Sequence, residues 1–289
     1  MLVEYFSDQQ LIGWRARAKD LQAYHYLWFY ELERQRATGQ AALIEALQAV
    51  PGISVPLEGW GRAISYKYSH VPLSCKGSLR WVGGRFNYGV DIDSARFAPF
   101  SALYLAEDFE TALREKNGLQ RENTRAGFSA EELSLCTKEG FSWVAVQGSV
   151  NNVFDLTKAT NLNGFFEIIG TFRLSRNVRS LEERLKVIQI RLVDSPEQLH
   201  QTFMLEGWRE YPNMWSTPAN SQIFGHMVRD AGFEGILYAS TITGQENLAL
   251  FPRQFQNSTS IVAATAPPDG AKCCVLDAVN CAEIEAGLI

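Results

Sequence analysis

The chain is poor in the features that mark whole classes of protein. It has no long apolar run near its start: the longest uncharged, apolar-leaning stretch there is Leu21 to Tyr30, interrupted by Gln22 and His25, too short to cross a bilayer. No basic, then apolar, leader with a small-residue cleavage site opens it. The five cysteines are an odd number: Cys273 and Cys274 are adjacent, Cys281 comes later without a C-x2-C step, and no histidine stands near to complete a tetrahedral set. A reduced, cytoplasmic protein with no disulfide framework and no metal is expected. The four histidines, His25, His70, His200 and His226, also lack metal-ligand spacing. There is no P-loop, no G-x-G-x-x-G fingerprint and no G-x-S-x-G elbow, which removes the common nucleotide-binding and serine-hydrolase designs. Basic residues are not in excess either. With 27 Lys and Arg against 32 Asp and Glu, the net charge is −5, so no overall field draws the protein to nucleic acid or an anionic membrane. Arg173, Arg176, Arg179, Arg184 and Lys186 are interrupted by Glu182 and Glu183 and read as a solvated helical face.

What is present is ample material for a core: 46% of the 289 residues are hydrophobic. Residues 7 to 50 read as helix, because Leu21, Tyr24, Leu27, Trp28 and Leu32 recur at three- and four-residue steps, as do Ala42, Leu43, Leu47 and Val50. Thr38-Gly39 predicts a joint between two helices there. Pro51-Gly52 and Pro56 then punctuate the chain, so residues 1–58 are expected to form a helical extension docked on the larger domain after it.

From Trp60 the texture changes to short strands and a few helices. Strands are expected at 101–106, 142–147, 153–156, 187–193, 235–239 and 248–251. In the first of these, alternation places Leu103 and Leu105 on one face and Tyr104 on the other. Asp108 is the expected cap of a helix from Phe109 to Lys116, stopped by Asn117-Gly118. A second helix is expected from a Thr217 cap and Pro218 to Gly232, with Ile223, Phe224, Met227 and Val228 as its apolar face. Residues 257–289, rich in Ala, Ser, Thr and Pro, read as a loosely packed tail. Without regular βαβα alternation, the pattern implies an α+β domain over 59–256.

Within that region Gly83-Gly84-Arg85-Phe86-Asn87 forms a Gly-rich loop, with the strand bearing Tyr104 and the helix bearing Glu115 after it. Far downstream, Gly235-Ile236-Leu237-Tyr238-Ala239-Ser240 ends a strand on a hydroxyl. Each residue alone is ordinary: a surface Arg, a solvated acid near a helix C-terminus, where its charge is mildly unfavourable, and a turn serine.

In this order, Arg85, Glu115 and Ser240 resemble the Arg, Glu and Ser that give the RES-domain family its name, and the likeness runs from about Trp60 to Phe251. The separation of Tyr104 and Glu115 is its best-matched part. The gap between Arg85 and Tyr104 is longer than in compact members and implies an inserted loop at 90–99. The resemblance implies an ADP-ribosyltransferase-like core of short mixed strands flanked by helices, and NAD as a consumed substrate. It also implies a role as the toxin of a toxin–antitoxin pair, with a neutralising antitoxin as partner. The oligomeric state is left open, a homo-oligomer included.

The residue types suit the chemistry so implied. Breaking the nicotinamide–ribose bond expels an already cationic pyridinium, so no general acid is needed. A carboxylate against the sugar stabilises the oxocarbenium-like ribose, the part given to Glu115. Arg85, with Arg62 as a second candidate, would bind phosphates; Tyr104 would stack on nicotinamide; Ser240, and more weakly Asn247, would hold the bound half. The acceptor decides the reaction: water makes a glycohydrolase, phosphate a phosphorylase, a protein side chain an ADP-ribosyltransferase. A binding module that keeps NAD but has lost turnover is the non-enzymatic alternative.

Overall fold

Asp8–Gln48 forms one uninterrupted helix, α1, of 41 residues in the computed structural model, which describes residues 8–119, 127–129, 132 and 140–286. The expected joint at Thr38-Gly39 is therefore absent. Gly39 costs a helix about 1 kcal/mol relative to Ala, but good helix formers flank it. A neighbouring helix, α3 (Asn163–Ile169), passes so near that a Cβ at Gly39 would touch Ile168 at 3.7 Å. Tertiary packing thus carries the helix through. Phe29, Leu32, Leu43 and Leu47 enter the main core, whereas Leu27 stays exposed and most of the first turns, to Asp20, stand in solvent.

The strands are β1 (Ile53–Pro56), β2 (Gly61–Ser65), β3 (Leu103–Ala106), β4 (Phe141–Asp155), β5 (Gly235–Ala239), β6 (Glu246–Leu250), β7 (Ile261–Ala264) and β8 (Val275–Leu276). They pair in the order β2-β3-β6-β5-β4-β7-β8, with β1 on β4. The 15-residue β4 joins what the sequence suggested as two strands. Its first half pairs with β2 and its end runs parallel to β5, so β2, β3, β6, β5 and β4 close on themselves. Gly148, at φ +121°, lies between these halves where a side chain would collide with Ile261. Further α-helices among the described residues are α2 (Phe109–Asn117), α4 (Arg176–Leu185), α5 (Pro196–Phe203), α6 (Glu210–Trp215), α7 (Asn220–Asp230) and α8 (Cys281–Ala286). The result is the α+β class expected, with one apolar core on each face of the sheet. Phe154, Ile236 and Ala249 face the helices, and Leu103, Leu105, Leu237 and Leu248 face the other way.

Several expectations are corrected. Residues 187–193 are not a strand: Ile190 exchanges its backbone groups with the side chains of Glu182 and Arg179 at the end of α4, and Ile188 is exposed. Glu182 is itself buried and also accepts from Tyr24, so the basic stretch is partly a tether for α1 rather than a purely solvated face. Thr217 does not cap α7; its hydroxyl lies 2.9 Å from His25 Nε2, and Gln222 reaches back to the Ala219 N–H instead. The stretch after Asn257 is no loose tail, since Val262, Cys273, Leu276, Cys281 and Ile284 are buried in the second core and only 267–270 uses the Pro and Gly residues as a turn. Among the described residues no helix is long and apolar enough to cross a membrane.

Candidate active site

Strand register gathers the first side chains. Ala106 lies opposite Asn247, and Asn247 opposite Tyr238, so Tyr104, two residues from Ala106, shares their face of β3-β6-β5. The leucines between them point to the opposite core, as the alternation predicted. On this face lies a cavity of about 390 Å³.

Glu115 reaches the cavity because α2 is fixed at both ends. Asp108 accepts from the Thr111 N–H at 2.8 Å, and Gly118 at φ +64° closes the helix, both as expected from sequence. Thr111, Ala112, Leu113 and Arg114 are buried, which leaves Glu115 next along the turn at the cavity wall. Arg114 is clamped by Glu110 at 2.9 Å and Glu132 at 2.7 Å; burial opposes its charge, but the two carboxylates hold its pKa above the ordinary value. Glu115 Oε1 accepts from Ser240 Oγ at 2.6 Å and from Asn247 Nδ2 at 3.2 Å. Oε2 has no hydrogen-bond partner among the described residues. Ser240 Oγ in turn accepts from the N–H groups of Ile242 and Thr243, both at 3.2 Å. A hydroxyl carries one proton, and that of Ser240 is given to Glu115. Ser240 therefore grips the carboxylate, where sequence reasoning has it grip the ligand.

The Gly-rich loop is held from behind. Gln222, fully buried on α7, has Nε2 at 2.7, 3.0 and 2.9 Å from the carbonyls of Val82, Gly84 and Asn87, its two N–H groups shared among the three. The α7 backbone comes this close because residue 225 is glycine; a Cβ there would strike the Phe86 carbonyl. Asn87, also fully buried, accepts from the Gly84 N–H and from the Tyr104 hydroxyl, and donates to the carbonyls of Ser78 and Phe100. The Tyr104 oxygen accepts from the Phe86 N–H at 2.9 Å. Its hydroxyl is thus fully engaged, and burial pushes its pKa up, so the ring rather than an ionised oxygen is offered to the cavity. Gly83 sits at φ +93°. Gly84 makes room for Tyr104: a Cβ there would lie 2.6 Å from Tyr104 Cζ.

Arg85 lines the cavity, yet its Nη1 donates to the carbonyls of Phe203 and Leu205 at 3.2 and 2.9 Å, and Nη2 to Thr241 Oγ1 at 3.4 Å. Arg62 also lines it, with Nη1 on the Ser74 carbonyl at 3.2 Å and a pKa lowered by burial, partly offset by the nearby Cys75 and Cys273. All six residues singled out from sequence are thus brought to one site, Ser240 through its bond to Glu115. Sequence reasoning missed Tyr238, Trp208, Arg209, Lys116 and Glu206 on the walls, and Asn87 and Gln222 behind them. In the sequence Asn87 reads only as part of a turn. Nothing in a helical Gln222 or in Glu206-Gly207-Trp208-Arg209 signals a site before the chain is folded. Among the described residues no three His, Cys, Asp or Glu side chains stand together as a metal site would require.

Comparison with known proteins adds a family and one solved structure. Residues 161–269 match the RES domain, a stretch that includes Ser240, Asn247 and Arg209 and stops short of Arg62, Arg85, Tyr104 and Glu115. No curated protein matches the chain. The crystal structure of the M. tuberculosis MbcT–MbcA toxin–antitoxin complex is similar at a TM-score of 0.44 and 16% identity, covering 85% of this chain and 97% of that one.

Proposed function

We propose that this chain is a RES-type toxin that cleaves NAD at the nicotinamide–ribose bond, as a glycohydrolase or phosphorylase, and so depletes the dinucleotide in the cytoplasm. The observation that carries this reading is the Glu115 carboxylate, held through one oxygen by Ser240 and Asn247 and left with the other free beside an aromatic ring and several cations. A half-buried carboxylate fixed in this way is pre-aimed at positive charge developing on a sugar, and it spends nothing on reorganisation when that charge appears.

In the reaction the C1′–N bond breaks and its electron pair returns to the pyridinium nitrogen, giving neutral nicotinamide. The ribose is left cationic, with Glu115 Oε2 as the group placed to stabilise it and to hold the 2′-hydroxyl. An acceptor lone pair then closes on C1′ and its proton passes to solvent. Tyr104 presents its ring to the nicotinamide, and Arg62 and Arg85 keep the cavity cationic for the phosphates. Ser240 and Asn247 act as positioning residues for Glu115.

Incubating the purified protein with NAD and measuring free nicotinamide tests the reading. Release that disappears in Glu115→Gln supports it; no release by the folded wild type sinks it. Product analysis with water, phosphate and candidate proteins identifies the acceptor. A toxin of this kind needs a neutralising protein partner, and co-expression with an antitoxin should relieve any growth arrest it causes.

A further inference from the structure

The cavity is lined by four cations, Arg62, Arg85, Lys116 and Arg209, against two carboxylates, Glu115 and Glu206, so it is built to receive negative charge. The cations are not equivalent. Arg62 is turned to the Ser74 carbonyl, and Arg85 spends both Nη atoms on Phe203, Leu205 and Thr241. Arg85 therefore works as a clip that fixes the segment leading from α5 to α6. That segment carries Trp208 and Arg209. Trp208 is buried, and two guanidiniums stand over its ring: Arg209 at 4.3 Å and Arg85 at 5.9 Å from the centroid. The Arg209 side chain makes no hydrogen bond or ion pair among the described residues, so its five N–H donors have no protein partner there.

The geometry points to Arg209 as the residue that receives the diphosphate of the substrate, with Trp208 as the platform that orients its guanidinium and Arg85 as the fixed cation beside it. This rests on the NAD reading and extends it: the cleft would select dinucleotides over phosphate-free nucleosides through a residue outside the Arg, Tyr, Glu and Ser that carry the sequence resemblance. A planar guanidinium stacked on an indole loses little freedom on binding and can meet two phosphate oxygens at once. Although Arg209 as a whole is exposed, burial of its charged end lowers its pKa, Tyr104 opposes this, and Arg85 adds to it. An arriving anion would relieve that cost.

Calorimetric titration of the full chain tests this, in the Glu115→Gln background so that NAD is not consumed. The probes are NAD, ADP-ribose, inorganic pyrophosphate and nicotinamide riboside. Arg209→Gln should weaken NAD, ADP-ribose and pyrophosphate by about tenfold or more and flatten the salt dependence of binding, while the riboside changes by less than about twofold. Arg209→Lys should recover part of the loss, which a folding defect would not allow. Unchanged affinity for the phosphate-bearing probes in Arg209→Gln, or an equal loss for the riboside, overturns the assignment while leaving the NAD reading intact. Binding of pyrophosphate that depends on Arg209, without binding of NAD or ADP-ribose, keeps the anion site and overturns the NAD reading. A parent protein that binds no phosphate probe overturns both.

Discussion

Ser240 Oγ donates to Glu115 Oε1 across 2.6 Å of space and 125 positions of sequence, joining the end of β5 to the last turn of α2. A carboxylate near a helix C-terminus faces the negative end of the helix dipole, so it benefits from donors supplied by another element. Ser240 and Asn247 supply them from the neighbouring strand ends.

Glu115→Gln preserves size and removes the charge that an oxocarbenium-like transition state needs. Turnover should fall by about a hundredfold or more with folding and NAD affinity little changed. Ser240→Ala should lower turnover less, since Asn247 still holds the carboxylate, and should lower stability by about 1 kcal/mol for the lost hydrogen bond. Steady-state nicotinamide release with parallel denaturant melts checks both. A Ser240→Ala enzyme with full activity would show that the bond does not position Glu115.

Arg85→Ala should weaken NAD binding more than Arg85→Lys, and Lys should still be impaired, because a shorter ammonium cannot reproduce the two-nitrogen fork that holds the Phe203 and Leu205 carbonyls through Nη1 and Thr241 through Nη2. The cost to affinity is expected on the order of 1–3 kcal/mol. Calorimetry that finds wild-type affinity in both variants would reduce Arg85 to a surface residue.

Gly84→Ala places a methyl group 2.6 Å from Tyr104 Cζ. Loop or ring must move, at a cost of about 1–3 kcal/mol of stability, with activity falling as the ring is displaced. Gly77→Ala is the control, since nothing lies within 4 Å of a Cβ there. Equal melting temperatures and equal rates for the two variants would contradict the close fit of Gly84 and Tyr104.

Burial holds the His25 pKa at about 4, below its ordinary 6.5, within stacked contacts to Phe29, Tyr211 and Trp215. The unfolded chain then binds a proton more readily than the folded one between these values. Stability should be complete above pH 6.5 and fall as pH drops to about 4, by on the order of 3 kcal/mol from this residue. His226, lowered mainly by burial and partly restored by Asp230, acts in the same direction. Unfolding free energies measured across that range should show a shallower slope in His25→Gln than in wild type. Superimposable slopes would mean that His25 titrates normally.

A truncation starting at Val55 removes Phe29, Leu32, Leu43 and Leu47 from the main core. At roughly 1.5–3 kcal/mol for each buried side chain, the loss approaches the whole stability of a domain. The shortened chain should melt far lower or fail to fold, which circular dichroism would report; an unchanged melting temperature would show that α1 does not belong to the core.

Local chemistry determined much of this protein from sequence alone. Asp108 and Gly118 delimit α2, the alternation at 103–106 turns Tyr104 from the leucines, and the apolar stripe of α7 marks its buried face, as that of α1 does except at Leu27 and Ala42, because these signals act over a few residues of chain. Tertiary structure decided the rest. Whether Gly39 breaks a helix depended on the neighbour beside it, and whether 187–193 is a strand depended on Glu182 and Arg179 taking its backbone groups. The late strand β7 forms because β4 is long enough to accept it, and β8 pairs with β7 in turn. That Ser240 serves Glu115, that Gln222 holds the Gly-rich loop and that Arg209 shares a ring with Arg85 are consequences of strand register and helix docking. Those bring residues more than a hundred positions apart into hydrogen bonds or onto one ring, a proximity that separation along the chain does not encode.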